Sequence, residues 1–208
     1  MGEPKQERAV KTREAILHAA AEIFDECGYS GASISKIMAR AQVTQGGMYF
    51  HFKSKKGLAQ AVLAHQQDFV HFSKETAGLQ KLIDLSFFLA HELQTNVLFR
   101  ASVRLAVEQG ELGMRDDTAY QEWVNEFYGL LCEAREQGDL LPEVDEREFA
   151  NVLVGAYSGT QIFSNVSSGR ADLPARLVSM WRYLLPGIAT PQARARLGLP
   201  TDVQRLAA

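Results

Sequence analysis

The stretch Ser33–Lys55, SISKIMARAQVTQGGMYFHFKSK, decides how this chain is read. Ser33 is a natural N-cap, and Ile34, Ile37 and Met38 recur at the spacing that lines one face of a short helix ending near Ala41. A turn through Ala41, Gln42 and Val43 follows, with Val43 tucked inward. Thr44 then caps a second short helix, about Gln45–His51, and Ser54 caps a further helix that begins at Lys55 and runs toward the early 70s. Two short helices around a tight turn fit a helix-turn-helix, whose second helix enters the DNA major groove while the first crosses the backbone. Gly46 and Gly47 violate helix propensity by about 1 kcal/mol each, a cost that close approach to another surface explains. A plain loop over Gln45–Gly47 would leave the aromatic run Met48–Phe52 with nothing to define its register.

Working outward, Ile16, Ala20, Ile23, Phe24 and Cys27 recur at helical spacing and Gly28 supplies a stop. Downstream, Leu79, Leu82, Ile83, Phe87, Ala90 and Leu93 form one amphipathic stripe. Phe149, Val152, Leu153, Ala156, Thr160 and Phe163 form another, and Leu177, Met180, Trp181 and Leu184 a third. Gly110–Asp117 and Gly138–Asp145 read as loops, and no alternating strand pattern competes. The expected fold is all-α: an N-terminal helix-turn-helix three-helix domain over residues 1–54 and a larger C-terminal helical bundle over residues 55–208.

The charge is divided along the chain. Residues 1–60 carry nine Lys or Arg against six acids, whereas the remainder carries thirteen against nineteen. Ser33–Gly57 holds five basic residues and no Asp or Glu, which points to an anionic partner such as a phosphate backbone, the alternative being a solubilising face. With 46% hydrophobic and 23% charged residues among 208, the composition argues against disorder. Cys27 and Cys132 form no CxxC pair, so neither a disulfide framework nor a structural zinc site is expected. The charged N-terminal stretch and the absence of a long apolar run suggest a cytoplasmic protein with no membrane contact. The chain lacks HExxH, GxSxG, P-loop and dinucleotide signatures, and His65, His71 and His91 are scattered. No catalytic residue, metal site or cofactor is therefore expected.

Thr12–Leu63, TREAILHAAAEIFDECGYSGASISKIMARAQVTQGGMYFHFKSKKGLAQAVL, resembles the DNA-binding domain of TetR-type bacterial repressors, notably in Phe24–Tyr29 and the closing YFHFKSK. Leu93–Gln109 (LQTNVLFRASVRLAVEQ), Gln121–Phe127 (QEWVNEF) and Leu153–Ser164 (LVGAYSGTQIFS) resemble the γ-butyrolactone autoregulator receptors within that family. The resemblance implies that Thr44, Gln45, Gly46 and Gly47 meet bases or the groove floor, and that Ser33, Tyr49, His51 and Lys55 or Lys56 hold phosphates. Those residue types suit those roles, because hydroxyls, helix N-termini and Lys position a protein on phosphate while amides read base edges. The family often has Lys at the position of Gln45 and Ala at that of Gly47, so an amide suited to adenine replaces a cation suited to guanine. Core packing is the other reading for Tyr49 and Phe52, and a satisfied surface histidine for His51.

The resemblance further implies a pocket for a small, largely apolar effector, with Trp123 at the position of the receptors' pocket tryptophan. Thr160 and Gln161 would supply polar groups, and Phe88, Leu89, Val103 and Phe127 apolar walls, core packing being the alternative for each. A two-fold dimer places two recognition helices about one turn of DNA apart on a palindromic operator. Gly155, Gly159, Leu177, Met180, Trp181 and Leu184 are the interface candidates, and a monomer core explains the apolar stripe equally well. Effector binding would tilt the fourth helix and lower operator affinity, and by reciprocity the operator would weaken effector binding. Two other readings stay open: a regulator of the same fold answering an antibiotic or biosynthetic intermediate, and a DNA-binding dimer with no effector.

Overall fold

The computed structural model describes residues 5–65, 76–113 and 116–200. Ten α-helices are described: α1 (Lys5–Gly31), α2 (Ile34–Ala41), α3 (Gln45–His51), α4 (Lys55–Ala64), α5 (Gly78–Thr95), α6 (Val97–Val107), α7 (Thr118–Glu136), α8 (Glu146–Ser168), α9 (Leu173–Ile188) and α10 (Pro191–Arg196). Among the described residues there is no strand, only an isolated bridge between Leu140 and Ala189. The loop expected over Gly110–Asp117 begins inside a 3₁₀ turn, Gln109–Leu112. The expected run of α4 into the early 70s, and His71, lie outside the described residues.

The helices gather into two compact units. The first contains α1–α4 and α6, built on Ile16, Ala20, Phe24, Ile37, Met48, Leu58, Val62, Ala101 and Leu105, all fully buried. Ile34, Met38 and Val43 pack partly buried against that core, as their spacing requires. Gly28 breaks α1 with φ +70°, and its Cα faces α6: a Cβ there would lie 2.7 Å from the Glu108 carboxylate and 2.8 Å from the Arg104 guanidinium. Glu108 accepts from the Tyr29 N–H at 2.8 Å, and Arg104 donates to the Asp25 carbonyl at 2.6 Å. Arg100 adds an ion pair with Asp25 at 2.9 Å. Glycine is thus favoured at position 28 by its backbone conformation, while the flexible ends of Glu108 and Arg104 could give way to a side chain.

The second unit contains α5 and α7–α10. All six residues of the α5 stripe are buried, as expected. The α8 stripe is a correction: Ala150, Leu153, Val154, Gln161 and Ser164 face inward, while Val152 and Phe163 are 52% and 61% exposed. The helix is apolar on two sides, so periodicity alone selects neither. The buried Ser164 is satisfied locally, donating to Asp172 at 2.5 Å, and Ser168 donates to the same carboxylate at 2.7 Å. These hydroxyls, with Arg176, hold the Asp172 carboxyl down at about 2.

Candidate nucleic-acid interface and sensing unit

Three side-chain caps set the helix-turn-helix. Ser33 Oγ accepts from the Lys36 N–H at 3.2 Å, Thr44 Oγ1 from Gly47 at 3.2 Å, and Ser54 Oγ from Gly57 at 3.0 Å. Between α2 and α3, Gln42 takes a left-handed conformation at φ 55°, and the Val43 N–H returns to the Met38 carbonyl at 3.1 Å. Met48 and Phe52, one turn apart, are buried and anchor α3, and the Arg13 guanidinium lies 5.3 Å over the Phe52 ring. The opposite face is therefore turned outward. Thr44, Gln45, Gly46, Tyr49 and Lys56 are exposed, and Ser33, Gly47, His51 and Lys55 half-buried.

The structure adds a residue that sequence reasoning missed. Phe50 is 79% exposed on α3, edge-on to the His51 ring at 4.9 Å. With Met48 and Phe52 assigned inward, a helical projection puts Phe50 outward, so the signal was there. The structure also qualifies the acid-free basic stretch. Arg40 is bound by Glu22 at 2.6 Å and Glu26 at 3.2 Å, both from α1, and these carboxylates raise its already high pKa. Lys55 stands 4.4 Å over the Tyr29 ring. A segment without acids is thus not a surface without acids, and Lys56 is the more accessible of the two adjacent lysines.

A Cβ on Gly46 would meet nothing within 4 Å, so the chain's own packing does not demand glycine there. Gly46→Ala is accordingly expected to raise thermal stability by up to about 1 kcal/mol while weakening binding to an operator duplex roughly tenfold. Melting and duplex titration of the same preparation check this, and unchanged DNA affinity would place Gly46 away from the groove. Lys56→Ala is expected to weaken binding to all sequences alike and to lower the slope of log K against log salt by about 1. Titration at several salt concentrations measures it, and an unaltered slope would take Lys56 off the phosphate backbone.

In the second unit, α7 presents Trp123, half-buried, against buried Phe127, with ring centroids 6.1 Å apart. Phe88 and Leu89 lie on α5, which packs on α7. Leu89 is buried and Phe88 half-buried. Val103 belongs to α6 and to the first unit, not to the bundle that holds Trp123. Thr160 and Gln161 do not act together: consecutive helical residues point about 100° apart. Gln161 is buried and accepts from Arg170 at 3.4 Å, whereas Thr160 lines a surface groove of about 510 Å³ between α8 and α9, its hydroxyl 3.9 Å from Met180 Sδ.

The interface candidates also separate. Trp181 and Leu177 are fully buried within their own unit, and the Trp181 indole N–H donates to Ser86 Oγ at 2.8 Å. They are core residues, packed where α9 meets α5 and α8. Gly155 and Gly159 are exposed, and Met180 and Leu184 half-buried. Around the two glycines an outward stripe of α8 exposes Val152, Ile162, Phe163 and Val166, the last 81% accessible. Among the described residues no group of three or more His, Cys, Asp or Glu could hold a metal ion, and no helix is long and apolar enough to cross a membrane.

A capped two-helix turn with a buried anchor and an exposed second-helix face, joined to a separate helical bundle, defines a helix-turn-helix DNA-binding regulator. The chain belongs to the TetR family: residues 16–62 match the bacterial regulatory proteins of that family, and residues 76–190 match the tetracyclin repressor-like C-terminal domain. It is a DNA-binding repressor of the TetR type. It is 39% identical over 193 residues to the A-factor receptor protein of Streptomyces griseus, spanning 93% of this chain and 69% of that one. Its fold is similar to full-length TylP, a TetR regulator from Streptomyces fradiae, at 41% identity and TM-score 0.81 over 93% of each chain. It is also similar to a γ-butyrolactone receptor described as ArpA-like, at 30% identity and TM-score 0.73 over 96% of each chain.

Proposed function

We propose that this protein is a homodimeric, non-enzymatic repressor that leaves a palindromic operator when a γ-butyrolactone-type molecule, small and largely apolar, binds its second unit. The observation that carries this reading is the likeness along nearly the whole chain to the A-factor receptor and to a γ-butyrolactone receptor. Function divides between the units: residues 1–54 and the adjoining start of α4 contact DNA, and the second unit senses and dimerises. Thr44, Gln45, Gly46 and Gly47 face the groove floor, with Gln45 reading a base edge and Phe50 beside them. Ser33, Tyr49, His51 and Lys56 take phosphates, with Lys55 in support. Such a regulator works in the cytoplasm, where its operator is.

The outward stripe of α8 supports the dimer. Val152, Gly155, Gly159, Ile162, Phe163 and Val166 leave one helix face apolar and open, the glycines allowing close backbone approach, with Met180 and Leu184 of α9 alongside. Trp123, half-buried beside Phe127, offers the effector a flat apolar wall. Both α4 and α6 pack on α1, so a tilt of α4 is felt by the helix-turn-helix. Binding of effector and operator to different arrangements gives reciprocal antagonism.

The test is fluorescence anisotropy of a labelled duplex from upstream of the protein's own gene, titrated with protein and then with a long-chain γ-butyrolactone. Competitor-resistant binding released by the lactone is the expected result. Binding without release would overturn the effector assignment and leave the repressor.

A further inference from the structure

Tyr157 lies on α8, one turn before Gln161 on the same inward-leaning side of the helix. Its hydroxyl is wholly buried and has no hydrogen-bond partner in the chain. A phenol removed from water without a partner is destabilising, and native interiors rarely keep one without a use. Burial pushes its ionisation far up, so it remains an O–H donor at any working pH, and the nearby Arg170 charge only partly opposes that rise. Arg170 is itself buried at φ 72°, its carbonyl accepting from Gln94 Nε2 at 2.8 Å and its guanidinium donating to Gln161 Oε1 at 3.4 Å. With the Gln161 carbonyl turned to Arg170, its amide nitrogen adds another donor. The interior end of α8 thus collects a phenolic O–H, a guanidinium and an amide N–H. Within it the buried Tyr157 hydroxyl still lacks an acceptor.

We infer that Tyr157 is the hydrogen-bond donor that selects the effector's polar end, an acceptor oxygen of a carboxyl derivative, with Gln161 and Arg170 positioned to orient it. The inference rests on the effector reading above and names the chemistry its site recognises. A lactone carbonyl and the carboxylate of a ring-opened hydroxy acid share that acceptor. An alkyl tail alone does not.

The experiment measures binding of three probes to the full-length protein and to its Tyr157→Phe variant by calorimetry: a long-chain γ-butyrolactone, its ring-opened hydroxy acid, and the tetrahydrofuran carrying the same tail but no carbonyl. The expected result is that the variant binds the preferred carbonyl probe at least tenfold more weakly, binds the tetrahydrofuran as the parent does, and melts no lower than the parent when free. Whichever of lactone and acid the parent prefers identifies the source of the acceptor. Equal loss for carbonyl and tetrahydrofuran probes would make Tyr157 a packing residue and overturn the inference. So would an unchanged variant, with the effector reading intact. A parent that binds none of the three overturns both.

Discussion

Trp181→Ala is expected to remove roughly 3–5 kcal/mol of stability, a large share of the 5–15 kcal/mol that holds a typical domain together. Trp181 is the largest of the fully buried side chains, and its truncation opens a cavity between α9 and α5. It also deletes the indole N–H bond to Ser86 Oγ, whose hydroxyl in turn donates to the Ile83 carbonyl at 2.6 Å. Urea unfolding followed by circular dichroism measures the loss. A variant that melts like the parent but no longer dimerises would return Trp181 to a subunit interface.

Trp123→Ala is expected to do the opposite, sparing the fold and removing the response. Trp123 is only half-buried, so its loss opens no sealed cavity, and operator affinity should stay within about twofold of the parent. An aromatic anchor of this size contributes about 2–4 kcal/mol to a bound partner, so γ-butyrolactone affinity should fall roughly 30- to 1000-fold. Release from the labelled operator should then fail at concentrations that clear the parent. Loss of DNA binding in the free variant would instead make Trp123 structural. The same residue type thus separates stability from sensing, according to whether its indole is sealed or half-open.

Much of this was legible in the sequence where the cause is local. Ser33, Thr44 and Ser54 cap the helices that their positions announce, because a hydroxyl three residues before an orphan N–H has one obvious bond to make. Gly28 interrupts α1 as expected, but the Arg104–Glu108 pair packed beside it joins residues about eighty positions apart. The pairing of Arg40 with Glu22 and Glu26 was likewise invisible along the chain. The α8 stripe was misjudged for a different reason. Its apolar residues populate two faces, while two polar residues, Gln161 and Ser164, are held inside by Arg170 and Asp172.

The sequence by itself therefore determined an all-α fold, where the helices capped by Ser33, Thr44 and Ser54 begin, and that the second of these carries adjacent glycines at its start. Caps, turns and helical period act over three or four residues, and composition carries them directly. Only the tertiary structure decided which apolar stripe is core and which is open, moving Trp181 and Leu177 inside, leaving Val166 and Phe163 outside, and sealing the Tyr157 hydroxyl from water. Amphipathicity says that a face must be covered, but what covers it depends on helices far apart in the chain.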